Sequence, residues 1–403
     1  MRKIICLLIV IFIIIFGIST FGEKTETNIP LAYTGNSEAI IEDMQSQSDI
    51  AVERAYAAAN PDTSVVSALG YVVVTDYIKN DGTTDVADEI QNIIDSNPNR
   101  TIYFPDGVYV IGKSICTPAN PSKSVDLQLS NYAVIKAAES WQENEAMIRL
   151  GGKDAANDTH TAGSNYSLTG GVIDGSGKAN AVSIDSGRES RISNLSIKNA
   201  VKGIHIKYGA NSGSSDADIS DVNIIGTGGT NSTGILIEGF DNTLTNIRIG
   251  NVFIGVHLKS ASNSMRNIHP LYYSDYTDYE NSCGFYDECG NNIYDFCYSD
   301  QFCNGFRTVG NISNIYDNCF CFWYTEAGGK EVAFRADGRF DSAVTNFRAG
   351  FRDDTENAVL IASDSGGNGV FDNLLVNKNI VSDKSYRRYK EGGIKWFINC
   401  IFN

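Results

Sequence analysis

The chain has 403 residues, with 48 acidic against 32 basic side chains and a formal net charge of −16. Nucleic acids and anionic lipid surfaces recruit clustered Lys and Arg, so neither is an expected partner. Gly and Asn each number 38 while Pro numbers 7, an excess of turn-permissive residues that points to many short strands joined by tight bends and away from helix bundles and doubly wound α/β folds.

Arg2 and Lys3 precede an unbroken apolar run from Ile4 to Phe16, with small residues following near position 20. That is the make-up of a secretory signal peptide over residues 1–22. Read through Phe21, the same run approaches the roughly 20 apolar residues of an uncleaved anchor. On either reading the rest of the chain is secreted or at the cell surface, with no membrane insertion beyond the leader. Residues 23–65 are mixed and polar and read as a linker or helical spacer, leaving 66–403 as the folded domain. Cys6 lies in the leader. The other eight cysteines suit either disulfides in an exported protein or thiols packed as small apolar groups. No pair has Cys-x-x-Cys spacing, so no structural metal is expected.

A turn-rich stretch, Asp76-Tyr-Ile-Lys-Asn-Asp-Gly-Thr-Thr-Asp85, leads into a short helix over Asp88-Glu-Ile-Gln-Asn-Ile-Ile-Asp95. A strand follows within Arg100-Thr-Ile-Tyr-Phe-Pro-Asp-Gly-Val-Tyr-Val-Ile111. From Asn165 onward the chain repeats itself. Its unit is Asn or Asp, apolar, any, apolar: Asn194-Leu-Ser-Ile197, Asp221-Val-Asn-Ile224, Asn246-Ile-Arg-Ile249, Asn267-Ile-His-Pro270 and Asp295-Phe-Cys-Tyr298. It continues through Asn318-Cys-Phe-Cys321, Asn346-Phe-Arg-Ala349, Asn373-Leu-Leu-Val376 and Asn399-Cys-Ile-Phe402, at intervals of 21 to 28 residues. About ten residues after most anchors comes a second unit, small, apolar, any, apolar, as in Gly203-Ile-His-Ile206 and Gly305-Phe-Arg-Thr308.

Leucine-rich repeats share this period but need a Leu-x-x-Leu-x-Leu skeleton, which is missing. Short strands with variable loops, stacked in parallel at roughly 4.8 Å, describe an all-β, single-stranded, right-handed parallel β-helix. The recurring Asn or Asp then sits at one bend, bonding coil over coil in a structural role.

The stretch from Asp76 to Ile111 resembles the entry of the pectate-lyase-superfamily domain of the rhamnogalacturonase/epimerase-like type, a pectin-lyase-like β-helix. Asn80 stands for the first Gly of that family's opening turn, and Asp85-Val86 for its Asp pair. Gly171-Val-Ile-Asp-Gly175 is similar to another of its turns. The resemblance implies that the 88–95 helix is an N-terminal cap, shielding the core with Ile90, Ile93 and Ile94. It also implies a carbohydrate-active protein, a glycoside hydrolase or polysaccharide lyase acting on an acidic polysaccharide. The alternative is a non-catalytic glycan-binding or structural surface β-helix.

The polygalacturonase motifs Asn-Thr-Asp, Gly-His-Gly and Arg-Ile-Lys do not occur, and Asp353-Asp354 lacks their neighbours. Asp216, Asp218 and Asp221 form the nearest acidic cluster for calcium, without the Arg motif of a pectate lyase, so no cofactor is expected. Stacked coils should place outward residues in columns. One reads His205, Leu236, His257, Tyr286, Arg307, Arg335, Leu360; the other reads Ser196, Asn223, Arg248, His269, Cys297, Phe320, Arg348, Leu375. Aromatics and carboxylates crowd residues 270–326, which suits either a sugar cleft or an aromatic ladder filling a wider coil. As a cleft, Asp300, Glu326 and Asp287 are the catalytic candidates, because glycosidic cleavage uses paired carboxyls. Arg307, Arg335, Trp323, Tyr324, Tyr286 and His257 are the substrate-binding candidates, by ion pairing and ring stacking. The competing view leaves Asp300 and Glu326 as solvated loop acids.

Overall fold

A computed structural model describes residues 70–153, 166–208, 214–272, 278–324, 331–351, 359–363, 365–376, 396–398 and 401–402. All fall in the second of two units of the chain, Thr63–Asn403. The leader, the spacer, Glu326, Asp353, Asp354, Asn399 and Cys400 lie outside the described residues.

The strands coil into a parallel β-helix. Each repeat makes two short passes through a 23-stranded sheet and one through a ten-stranded sheet. Successive coils pair in parallel and in register; one run joins Ile293 to Ile315 and Ala343, and another joins Tyr298 to Phe320 and Arg348. Inward residues alternate with outward ones, so Val222, Ile247 and Ile268 stack over one another in the core, all fully buried. Among the described residues no helix is long and apolar enough to cross a membrane. The α-helix among the described residues, Ala87–Ser96, matches the expected helix and contributes Ile90, Ile93 and Ile94 to the core cluster. Asp85 accepts hydrogen bonds from the Ala87 and Gly112 amides at 3.1 and 3.0 Å, tying the first turn to the strand Gly107–Ile111.

The repeating anchors sit where the two passes through the larger sheet meet, each in the left-handed region. Asn194, Asp221, Asn246, Asn267, Asn318, Asn346 and Asn373 have φ between 51° and 56°. Asn tolerates this backbone because its short polar side chain bonds locally. Here the side chains also bond along the stack: Asn246 Nδ2 donates to Asp221 at 3.2 Å, Asn267 to Asn246 at 2.9 Å and Asn373 to Asn346 at 2.7 Å. In one coil the expected anchor is displaced. Phe296, not Asp295, is the left-handed residue there, with φ 54°. Asp295 ends the preceding strand, Ile293–Asp295, and accepts from Asn318 at 3.2 Å.

That one-residue shift moves the outward column with it. Register places Tyr298, not Cys297, between His269 and Phe320, and Cys297 is buried. On the ten-stranded sheet, Arg335 pairs with Ala362, so the column ends on Ala362 while Leu360 is buried.

A second asparagine column is buried one bend earlier. Asn263 Oδ1 accepts from the Asn242 amide and Nδ2 at 3.1 and 2.9 Å. Asn292 Oδ1 accepts likewise from Asn263 at 2.9 and 3.2 Å, and Asn314 Oδ1 from the Asn292 amide at 2.9 Å. These side chains satisfy backbone donors that a core bend would otherwise strand, a deficit of about 1–3 kcal/mol each.

The small residue of the second repeat unit has a steric cause. A Cβ on Gly203 would lie 2.5 Å from the Gly234 carbonyl oxygen and 2.7 Å from Ile224 Cγ2. The wall there leaves no room for one.

Among the described residues, most of the aromatic density of 270–326 is core. Phe285, Phe306 and Phe334 stack on successive coils, with centroids 4.8 and 5.2 Å apart, and Tyr294 stacks on Tyr316 at 4.6 Å. The seven described cysteines are thiols. Cys319 and Cys321 are both buried in the core rather than bridged to each other, and burial pushes the Cys283 thiol up to about 12.

Candidate functional site

The outer face of the ten-stranded sheet carries the expected column, with Leu236, His257, Tyr286, Arg307 and Arg335 paired in sequence along the coils. His257 stacks on Tyr286 at 4.8 Å and the Arg307 guanidinium lies over the same ring at 5.1 Å. The polar groups are committed to acids, most of them on neighbouring coils. His257 Nε2 is 2.8 Å from Glu288 and His205 Nε2 is 2.9 Å from Glu238. Arg307 donates to Asp337 Oδ2 from Nε at 2.7 Å and from Nη2 at 2.6 Å, and Arg335 Nε donates to Asp337 Oδ1 at 2.8 Å. Burial works against the Arg307 charge, but the bond to Asp337 and the charge of that carboxylate, with its neighbours, together outweigh it and raise the pKa. In both histidines burial outweighs the glutamate and lowers the pKa. Upstream, Asp185 takes Arg149 at 2.5 Å and Lys207 at 3.2 Å. This face is a ladder of hydrogen bonds and ion pairs, most of which tie one coil to the next.

The second pass through the larger sheet presents a different surface. His269 stacks on Tyr298 at 4.0 Å, Tyr298 on Phe320 at 4.6 Å, and the Arg348 guanidinium covers Phe320 at 5.4 Å. Beside this stack, Phe322 lies 5.8 Å from Phe320 and 5.9 Å from Tyr324, whose ring is half exposed. Asp300 closes the group from the end of the strand Tyr298–Asp300 and is 6% exposed. Its Oδ2 accepts from the Tyr298 hydroxyl at 3.1 Å and stands 3.5 Å from His269 Nε2. Burial, reinforced by the Asp300 charge, raises the Tyr298 pKa. Asp300 Oδ1 and His269 Nε2 are buried with no hydrogen-bond partner. Such atoms are few in folded proteins and cluster where a structure binds or reacts.

The residues expected to form one cleft therefore divide between two sheets. His257, Tyr286, Arg307 and Arg335 share the ion-pair ladder, whereas Asp300 and Tyr324 belong to the larger sheet. Trp323 faces the core, donating from Nε1 to the Phe302 carbonyl at 2.7 Å and stacking on Phe351 at 4.7 Å. Alternation explains the difference: Trp323 sits between two outward aromatics, Phe322 and Tyr324. Asp287 points inward as its register implies, but it is saturated. It accepts from the Cys289 and Gly290 amides, Asn292 Nδ2 and the Tyr294 hydroxyl, all within 2.9 Å. That makes it a turn clamp. In the acidic cluster, Asp216 is held by Arg188 at 2.6 Å and Asp221 by Asn246.

Sequence reasoning missed Asp337 and the part played by Tyr298. Asp337 lies two residues after Arg335, hence on the same face of the strand. Tyr298 was concealed by the one-residue shift at Phe296.

The family model described as rhamnogalacturonase A/epimerase, pectate lyase-like, matches residues 71–284, just over half of the chain. Among solved structures, the tailspike protein of E. coli bacteriophage HK620 in complex with a pentasaccharide aligns with a TM-score of 0.54 and 14% identity, over 83% of this chain and 66% of that one. A double mutant of the same tailspike aligns at 0.59 and 14%, over 80% and 67%. Geobacillus virus E2 ORF18 aligns at 0.50 and 14%, over 86% and 66%. The chain thus spans about two thirds of the length of these proteins, and at such identity the likeness is one of fold. No curated protein matches the sequence.

Proposed function

We propose that this chain, which belongs to the rhamnogalacturonase A/epimerase, pectate lyase-like family, is an exported protein that binds a polysaccharide across the outer face of its larger sheet. The carrying observation is the stack of His269, Tyr298 and Phe320, flanked by Phe322, Tyr324 and Arg348 and closed by Asp300 with its unpartnered buried oxygen. Sugars present apolar CH faces and hydroxyl edges together. A surface that alternates ring carbon with carboxylate, imidazole and guanidinium answers both. The tailspike with a similar fold is recorded with a pentasaccharide, which supports the reading by analogy of fold. Retention on immobilised polysaccharides tests it: the unaltered protein should be retarded, and Tyr324→Ala with Arg348→Ala should abolish the retardation while the thermal midpoint holds. Equal retardation of both proteins would remove this face from the reading.

Cleavage is the second reading, favoured by one feature. Asp300 is a buried carboxyl beside an imidazole and a phenol, the surroundings in which proton-transfer groups are found. Hydrolysis releases reducing ends, and eliminative cleavage adds unsaturated uronate absorbance. If either appears, Asp300→Asn should lower turnover by about two orders of magnitude or more with little change in binding.

A further inference from the structure

We infer that His269 and Asp300 form a subsite for a single neutral sugar hydroxyl, so that the glycan taken there is uncharged at that position rather than a uronate carboxylate. This rests on the polysaccharide-binding reading and specifies its substrate class. Asp300 Oδ1 and His269 Nε2 both lack a hydrogen-bond partner, and His269 Nε2 lies 3.5 Å from Oδ2 of the same carboxyl group. Oδ1 shares a carbon with Oδ2, so one oxygen atom can stand within hydrogen-bond reach of both orphan atoms. In its carboxylate form Asp300 only accepts, so the occupant for that form is one that donates to Oδ1. It must also bond Nε2, which donates or accepts according to the tautomer. A hydroxyl does both when His269 carries its proton on Nε2, donating its one hydrogen to Oδ1 and accepting from Nε2–H. A uronate carboxylate offers Oδ1 no proton and sets a like charge against it. Tyr298 is engaged already, its hydroxyl spent on Oδ2 and its ring stacked on His269. The His269 side chain as a whole is 22% exposed, although Nε2 itself is buried. The formal charge of −16 on the chain further opposes polyanions at long range.

His269→Phe keeps the ring that stacks on Tyr298 and removes Nε2, while Asp300→Asn keeps an acceptor for the Tyr298 hydroxyl and removes the charge. The probes are dextran, mannan and galactan as neutral polymers and polygalacturonate as the uronate, with calorimetric affinities for all three proteins. The expected result is that the unaltered protein binds a neutral polymer in preference to polygalacturonate. Each variant should lose about tenfold of that affinity, the scale of one hydrogen bond, and Asp300→Asn should narrow the gap to polygalacturonate. Preference for polygalacturonate by the unaltered protein overturns the inference, as does neutral binding unchanged in both folded variants, which would leave a water molecule as the occupant. If the unaltered protein binds none of the four polymers, the polysaccharide reading itself fails, and the inference with it. Circular dichroism and thermal midpoints separate loss of binding from loss of fold, and Tyr298→Phe, which removes only the bond to Oδ2, serves as a third variant in which neutral binding should hold.

Discussion

Phe296 occupies, one coil after Asn267 and one before Asn318, the left-handed backbone position that Asn or Asp fills in the coils from Asn194 to Asn373. Its ring is 61% exposed, so core packing does not account for the choice. A left-handed non-glycine residue costs roughly 1–2 kcal/mol, and Asn relieves part of that through local bonding. Phe296→Asn should therefore stabilise the fold by about 1 kcal/mol, a rise of about 2 °C in thermal midpoint for a domain of this size. It would also place an amide between Asn267 and Asn318. A midpoint that falls would mean that Phe296 is held there by something other than the turn.

The two asparagine columns should respond differently to truncation. Asn263 is buried, and its side-chain oxygen accepts from both the amide and Nδ2 of Asn242. Asn246 bonds its neighbours' side chains at the surface. Asn263→Ala strands buried donors and should cost about 3 kcal/mol, against about 1 kcal/mol for Asn246→Ala. Urea denaturation midpoints measure both. Equal losses would show that the buried column does no more than the exposed one.

Stability should fall on mild acidification. His205 faces Glu238, Lys202 and Lys207, and His257 faces Glu288, Lys259 and Glu238, yet burial holds both below the ordinary value near 6.5. The unfolded chain then takes up protons first as pH drops, so protons favour unfolding. Stability is complete above about pH 6.5 and declines below it. Glu238 is lowered below 4.5, because the bonds from His205 and Lys259 prevail over burial, and it adds a separate loss only in that more acid range. Thermal midpoints should be level from about pH 8 to 7 and drop through pH 6. Replacing both histidines by Gln should flatten the drop. A midpoint that climbs on acidification would reverse the assigned direction.

Much of the fold was legible because the β-helix writes its period into the chain. Each coil repeats the same turn requirement, so Asn194, Asp221 and Asn246 announce the bend, and Gly203, Gly234 and Gly255 announce the crowded wall. The error at Asp295 shows the limit of that code. Asp295-Phe-Cys-Tyr298 satisfies Asn or Asp, apolar, any, apolar as written, and only the register of Tyr298 on Phe320 shows that the bend falls one residue later. The site was less legible for a physical reason. Aromatic side chains fill the core and line the surface of the same coils, and composition alone does not distinguish Tyr294, which is buried, from Tyr324, which is half exposed. Alternation does, once the register is known. Charge was misleading in a similar way, since Arg307 and Arg335 read as free cations until Asp337 is seen between them.

Asp337 gives the sharpest test of that last point. Its two oxygens divide between Arg307 and Arg335, in-register neighbours on adjacent coils. Parallel strands set such neighbours about 4.8 Å apart, so without the acid the two guanidinium groups repel across one coil spacing. The cluster is part exposed, so Asp337→Asn should cost only about 1–2 kcal/mol by chemical denaturation. The same change releases two cations beside Tyr286 and should give the face an affinity for polygalacturonate that weakens as salt is raised. Arg335→Met in that background should remove most of the gain. Strong, salt-sensitive retention of polygalacturonate by the unaltered protein, lost in Arg307→Met and Arg335→Met, would show that Asp337 leaves these arginines available to anions and would return them to the binding surface.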